Sequence, residues 1–282
     1  MSEKVFFICL THYRVNSITS PFYIRGGGNN GIGNMLFQIS SGLYYAYKNN
    51  AELHVPSLRT YFRVEDLKKE DTIFRKINTD IAEGYDENRI ITSNYNKENI
   101  FIYPFENKMV LSNYFENYDN FNEHKEVILD YFRPNQSEKD YLMNKYPILK
   151  NDNLCSLHVR RGVDYNQLFT KDYLDNLERC YFEMVDYMIQ NKNILNFFIL
   201  TNDKEYSKKI FNNNEKYANI NFYYSDERDF YDIWIISLIK NNLVSLSTLA
   251  WWGSYLNENN DKLIVSHTKM GGVYNPEWLY IY

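Results

Sequence analysis

Apolar residues in this chain come mostly in short unbroken runs, not in polar–apolar alternation. That is the pattern of strands buried on both faces of a sheet. Residues 5–10 (VFFICL) form the first such run. A stretch rich in Gly and Asn, residues 24–34, follows and reads as a loop, because both residue types accept unusual backbone angles. Then Met35, Leu36, Ile39, Leu43, Ala46 and Tyr47 recur at helical spacing. Residues 51–55 predict a second strand, stopped by Pro56. Residues 58–150 are less regular, with short apolar runs at 100–103 and 109–111. A helix is predicted over 121–132 and closed by Arg133-Pro134, and 141–149 is polar-rich.

From residue 154 onward the pattern alternates. Strands are predicted at 154–157, 196–200, 220–224, 243–246 and 262–265, with helices at 173–190, 204–212, 227–240 and 249–256. Strands alternating with helices of this length predict a parallel, doubly wound α/β sheet. The change of pattern puts a domain junction near Asn151, giving domains at 1–150 and 151–282.

Composition narrows the classes. The 282 residues are 44% hydrophobic and carry a net charge of −5. Mean hydropathy is −0.54. A general nucleic-acid or anionic-membrane binder needs a broad basic surface, so neither partner is expected. Cys9, Cys155 and Cys180 are too few for a disulfide framework, and Cys9 and Cys155 lie inside apolar runs. They predict buried thiols and a reducing, cytoplasmic setting. Residues 5–10 are too short to span a membrane and lack signal-peptide layout, and no other span is predicted. The 27 tyrosines fit either a sugar-stacking surface or the codon bias that also enriches Asn, Lys and Ile.

Three segments carry candidate chemistry. Leu157-His158-Val159-Arg160-Arg161-Gly162-Val163-Asp164 leaves a buried strand. Strand alternation points His158 and Arg160 to one face and Arg161 to the other. The carboxyl end of a parallel strand is where open α/β sheets bind ligands, and a guanidinium suits a phosphate there. The alternative is a structural arginine pair, with Arg161 in an ion pair. Asp164 either orients an arginine, serves as a base, or is a solvated loop carboxylate. The second segment, Gly31-Ile32-Gly33-Asn34, opens a helix and so offers backbone N–H groups to an anion. The alternative is a plain loop beside a core helix. In the third, Ser247 and Thr248 either cap the helix that follows or donate to a phosphate. Of Trp251 and Trp252, one is expected in the core and the other along a cleft. Asp203 caps its helix or accepts from a nucleobase edge. His12, His54, His124, His158 and His267 show no metal-ligand spacing, so no metal is expected.

In their order, these segments resemble the α-1,2-fucosyltransferase family of glycosyltransferases found in bacteria and viruses. Gly31-Ile32-Gly33-Asn34-Met35-Leu36-Phe37-Gln38 is similar to the family's opening motif. Leu111-Ser112-Asn113-Tyr114-Phe115 looks like an internal element, with Asn113 in place of glycine. His158 to Gly162 matches the hallmark His-x-Arg-Arg-Gly, but Val163 displaces Asp164 by one position. Thr201-Asn202-Asp203 is similar to a Ser-Asp-Asp element, with Asn202 in place of aspartate. The stretch from Asp232 through Ser247-Thr248-Leu249-Ala250-Trp251-Trp252-Gly253, and then Asn275-Pro276-Glu277-Trp278, complete the set.

The resemblance implies a GT-B-like fold: two Rossmann-type domains with the site in the cleft between them. The N-terminal domain would face the acceptor and the C-terminal one would bind the GDP-sugar. It implies inverting, metal-independent transfer of L-fucose from GDP-fucose to the 2-hydroxyl of a galactose-type acceptor. Arg160, His158 and Asp164 would be catalytic. Gly31, Gly33, Asn34, Arg160, Asp203, Ser247 and Thr248 would hold the donor. The expected partners are a nucleotide sugar and a glycan acceptor, with peripheral association to glycan-assembly machinery. The alternatives are transfer of a different nucleotide-linked deoxysugar, or a silent glycan- or sugar-nucleotide-binding protein of the same fold.

Overall fold

The computed structural model describes residues 4–10, 31–92, 95, 97–161, 169–268 and 273–282. Asp164, Val163 and the glycines and asparagines at 26–30 lie outside them. The chain divides into two compact units, Met1–Arg133 and Pro134–Tyr282.

The first unit holds a four-stranded parallel sheet of β1 (Val5–Ile8), β2 (Glu52–His54), β3 (Ile90–Thr92) and β4 (Val110–Ser112), in the order β2-β1-β4-β3. Helix α1 (Ile32–Lys48) covers it and is buried along most of its length. The approach is close at Gly42, where an added Cβ would lie 2.7 Å from Ile8 Cγ1. Helix α2 (Leu58–Val64), short 3-10 turns and α3 (Lys125–Phe132) fill the rest. This accounts for the irregular pattern of residues 58–132.

The second unit begins with α4 (Gln136–Lys145), where only a polar stretch was expected. Asn135 and Glu138 form a reciprocal capping box that starts it. The segment that follows docks on the second unit's own sheet: Tyr146 packs edge-on to Phe198 at 5.2 Å. Its hydroxyl also accepts the Asp226 N–H at 2.9 Å. The boundary between the units therefore falls at residues 133 and 134, ahead of the Asn151 junction read from pattern.

Beyond α4 come β5 (Leu154–Val159), α5 (Lys171–Lys192), β6 (Asn196–Thr201), α6 (Lys204–Phe211) and β7 (Asn221–Tyr224). They are followed by α7 (Asp229–Leu238), β8 (Asn241–Val244), α8 (Thr248–Tyr255), β9 (Leu263–His267) and β10 (Leu279–Ile281). The six strands are parallel, in the order β10-β9-β8-β5-β6-β7. β5 is buried at every residue. Cys155, Leu157 and Val159 pack with Leu177, Tyr181 and Met184 of α5 in one core. On strand alternation, Ser156 points the other way, and its hydroxyl accepts from Asn242 Nδ2 at 2.8 Å. Asn242 is fully buried, donates also to the carbonyls of Ile236 and Ile239, and accepts from Asn257. The network satisfies each polar atom that β8 brings inside, as a buried amide requires.

The α/β class expected from the pattern is thus present in both units. The chain steps outward from β5 through β6 to β7, then crosses back to lay β8 on the other side of β5. Between β5 and β8 the sheet has its topological switch point, the position at whose carboxyl edge open α/β sheets bind ligands.

Candidate active site

Leu157 pairs with Leu243 across the switch point. The chain leaving β5 therefore runs out beside the chain leaving β8, and His158 and Arg160 reach one edge with Ser245, Ser247 and Thr248. Across β6 the register pairs Val159 with Thr201, which brings Asp203 to the same edge.

His158 is 4% exposed, and among the described residues its Nδ1 has no hydrogen-bond partner. Burial, with Arg160 beside it, pushes its pKa down to about 3. The ring is neutral throughout the physiological range. It can give or take a hydrogen bond, but it is a poor proton acceptor. Ser245 Oγ, just past β8, is likewise buried without a partner among the described residues. Two such buried polar atoms at one strand edge are costly unless a further group meets them.

Arg160 is the first residue beyond the paired part of β5. Its N–H donates to the Tyr181 hydroxyl at 3.2 Å. Among the described residues Arg161 does not make the expected ion pair. Its guanidinium lies 4.8 Å over the Tyr206 ring, a cation–π contact that a planar cation makes well. The Arg161 N–H donates to Asn202 Oδ1 at 3.0 Å.

Ser247 occupies the N-cap position of α8, yet its side chain makes no cap hydrogen bond. The capping role open to it in the sequence is therefore not the one its hydroxyl plays. Asp203 does cap: its carboxylate accepts the Tyr206 N–H at 3.0 Å at the start of α6. The second tryptophan lines no exposed cleft. Trp251 and Trp252 are both buried, because α8 is enclosed all round. Trp251 stacks on Tyr255, packs against Trp278 and donates to the Val273 carbonyl at 3.0 Å.

Gly31, Gly33 and Asn34 belong to the first unit. Gly31 is the N-cap of α1 with an ordinary φ of −54°. Among the described residues nothing stands within 4 Å of where its Cβ would be. The described residues thus do not demand a glycine there by packing.

Asp232, in the first turn of α7, is an ionisable group the motifs did not single out for chemistry. It is buried against the Ser225 hydroxyl, and burial pushes its carboxyl up to about 8. Among the described residues one group can hold a metal ion: Cys180, Glu183 and His267, with ligand atoms within 4.8 Å of one another. His267 and Glu183 are hydrogen bonded at 2.6 Å, and the set is one short of a closed tetrahedral site. The spacing search missed it because His267 comes from a strand far along the chain. No described helix is long and apolar enough to cross a membrane.

Residues 57–282 match the model of glycosyl transferase family 11. The O-antigen biosynthesis glycosyltransferase WbnK of Escherichia coli is 28% identical over 172 residues, 58% of this chain and 55% of that protein. The chain thus matches about half of that relative's length. An α-1,2-colitosyltransferase of Escherichia coli is 26% identical over 265 residues, covering 80% of this chain and 84% of that one. Among solved structures, the fucosyltransferase NodZ from Bradyrhizobium superposes with a TM-score of 0.51 at 10% identity, over 90% of this chain and 92% of that one. At that identity the likeness bears on the fold, which is the one the resemblance implied. With the match running through both segments that meet at the β5–β8 edge, the chain belongs to glycosyl transferase family 11.

Proposed function

We propose that this chain is an inverting glycosyltransferase that moves L-fucose from GDP-fucose to the 2-hydroxyl of a galactose-type acceptor. One observation carries the reading. The switch-point edge gathers Arg160 with Ser247, whose hydroxyl makes no cap bond, and two buried polar atoms without partners among the described residues, His158 Nδ1 and Ser245 Oγ. That set suits an anionic group with several acceptor oxygens.

In the step proposed, the acceptor oxygen bonds to the anomeric carbon as the bond from that carbon to the β-phosphate oxygen breaks. The configuration inverts. The acceptor proton is released and the electron pair leaves on GDP. Arg160 meets the charge growing on the β-phosphate, the task a divalent ion performs elsewhere, and Ser247 and Thr248 add donors at the start of α8. Neutral His158 serves as a hydrogen-bonding group on this edge, not as the base. Asp203 keeps its second oxygen for a nucleobase edge while the first caps α6.

A second donor, GDP-colitose, is favoured by one finding, the colitosyltransferase relative that matches most of the chain. Incubating the protein with GDP-fucose and GDP-colitose, with galactosyl acceptors and with or without EDTA, separates the two by product mass. Turnover of GDP-fucose that survives EDTA is expected. No turnover of GDP-fucose overturns the main reading, and loss with EDTA overturns the metal-independent step.

A further inference from the structure

Arg160 has to be aimed, and the strand ladder does not aim it. Pairing of β5 ends at Val159, so the peptide groups at 160 and 161 leave the sheet without strand partners. Backbone N–H groups in partly buried positions are rarely left unmet. Here two side chains meet them from different elements. The Tyr181 hydroxyl accepts the Arg160 N–H at 3.2 Å and stands 3.4 Å from the Arg160 carbonyl, to which it donates. A phenol can do both at once, having one proton and free lone pairs. Asn202, at the end of β6, accepts the next N–H, that of Arg161, at 3.0 Å.

Tyr181 is 1% exposed. It sits on the face of α5 that packs against β5, with Leu177, Met184 and Val185. Its ring is therefore held by the core and its hydroxyl projects to the strand end. Asn202 is exposed and belongs to the motif element in which it replaces an aspartate. The bond it makes needs an acceptor oxygen, not a charge, so the replacement preserves the contact.

We infer that Tyr181 and Asn202 are positioning residues: a two-point clamp on the main chain at 160 and 161 that directs the Arg160 side chain at the leaving phosphate. The inference rests on the proposed role of Arg160. Misplacing a catalytic group by about 1 Å costs on the order of 10²-fold. An interaction realised in the transition state lowers kcat more than it raises KM when lost.

The test is steady-state kinetics with GDP-fucose on the full chain. Tyr181→Phe keeps the ring in the core and removes both hydrogen bonds. Asn202→Ala removes the second anchor at an exposed position, and Asn202→Asp restores an acceptor. The clamp predicts that Tyr181→Phe and Asn202→Ala each lower kcat by roughly 10- to 100-fold while KM for the donor moves less. Asn202→Asp stays near wild type. In an Arg160→Lys background, Tyr181→Phe adds little, because residues acting through one group are not additive. Unchanged kcat in Tyr181→Phe and Asn202→Ala, with Arg160→Ala inactive, overturns the clamp alone. Full activity in Arg160→Ala overturns the proposed site and the clamp with it. Should Tyr181→Phe fail to fold, the Asn202 pair decides the matter, since that side chain lies outside the core.

Discussion

Leu157 of β5 and Leu243 of β8 lie opposite each other in a parallel pair, with the crossover from β7 between them in the chain. Neither touches the chemistry. Their pairing brings the ends of two strands together, so that Arg160 and Ser247 share one edge. A shift in that register would separate the guanidinium from the hydroxyls, because each step along a strand moves a side chain about 3.3 Å and reverses its face.

Ser247 tests whether that edge binds an anion. A Ser that caps a helix loses about 1 kcal/mol of stability on replacement by Ala. Ser247 makes no cap bond, so Ser247→Ala is expected to leave the thermal midpoint unchanged. A hydrogen bond to a charged group is worth about 1.5–3 kcal/mol, so transfer should fall by roughly 10- to 100-fold. Thermal unfolding and kinetics on the same preparation check both halves. A lower midpoint with full activity would return Ser247 to a structural role.

Asp203 serves two proposed masters, and Asn separates them. Asp203→Asn keeps an oxygen for the Tyr206 N–H, so α6 stays capped and stability changes little. If the carboxylate also accepts from guanine, GDP affinity measured by titration calorimetry drops by about tenfold or more, since a bond to a charged acceptor is lost. Equal affinity in the variant would confine Asp203 to capping.

Gly253 sets how closely α8 lies on α7. A Cβ there would stand 2.5 Å from Ile236 Cβ and 3.0 Å from the Ile233 carbonyl. These are a branch point and a backbone atom, which cannot swing aside. Overpacking of this kind costs about 1–3 kcal/mol, enough to outweigh the helix preference of Ala. Gly253→Ala should therefore lower the thermal midpoint by several degrees. Gly42→Ala should cost less, because its close neighbours, Ile8 Cγ1 and Leu53 Cδ1, belong to side chains that can re-pack.

Asp232 predicts a direction of stability with pH. Its carboxyl titrates near 8 in the folded chain and near 3.9 when unfolded. Between those values the native state holds a proton that the unfolded state has released. Stability from this group is therefore full below about pH 4 and declines as pH rises to about 8. Asp232→Asn removes that slope. Denaturant unfolding at pH 6 and pH 8.5 should show the wild type losing more stability than the variant. Equal losses would place Asp232 in a more polar setting than the Ser225 contact describes.

The strands β5, β6 and β8 were legible because a strand covered on both faces is mostly apolar, and 154–157, 196–200 and 243–246 are, broken only by Ser156, Asn196 and Ser245. β3 and β10 were not, since three residues give no period to detect. The helix α4 was missed for its weak apolar face, although Asn135 and Glu138 announced its start. At the site, alternation offered Arg161 a place away from the ligand edge. It could not supply the Tyr206 ring that Arg161 lies against, nor the Tyr181 hydroxyl behind Arg160. Both come from other elements, and only the fold brings them near. Nor could local pattern show that α8 is covered on all sides, which is why Trp251 and Trp252 are both buried.

The central claim is that Arg160 stabilises the departing nucleotide. Its most direct measurement is kcat/KM of Arg160→Ala for transfer from GDP-fucose to a galactosyl acceptor, beside a circular dichroism spectrum showing the fold intact. The account predicts a loss on the order of 10²- to 10³-fold, the cost of removing one transition-state donor. Transfer at the wild-type rate by the folded variant would contradict it.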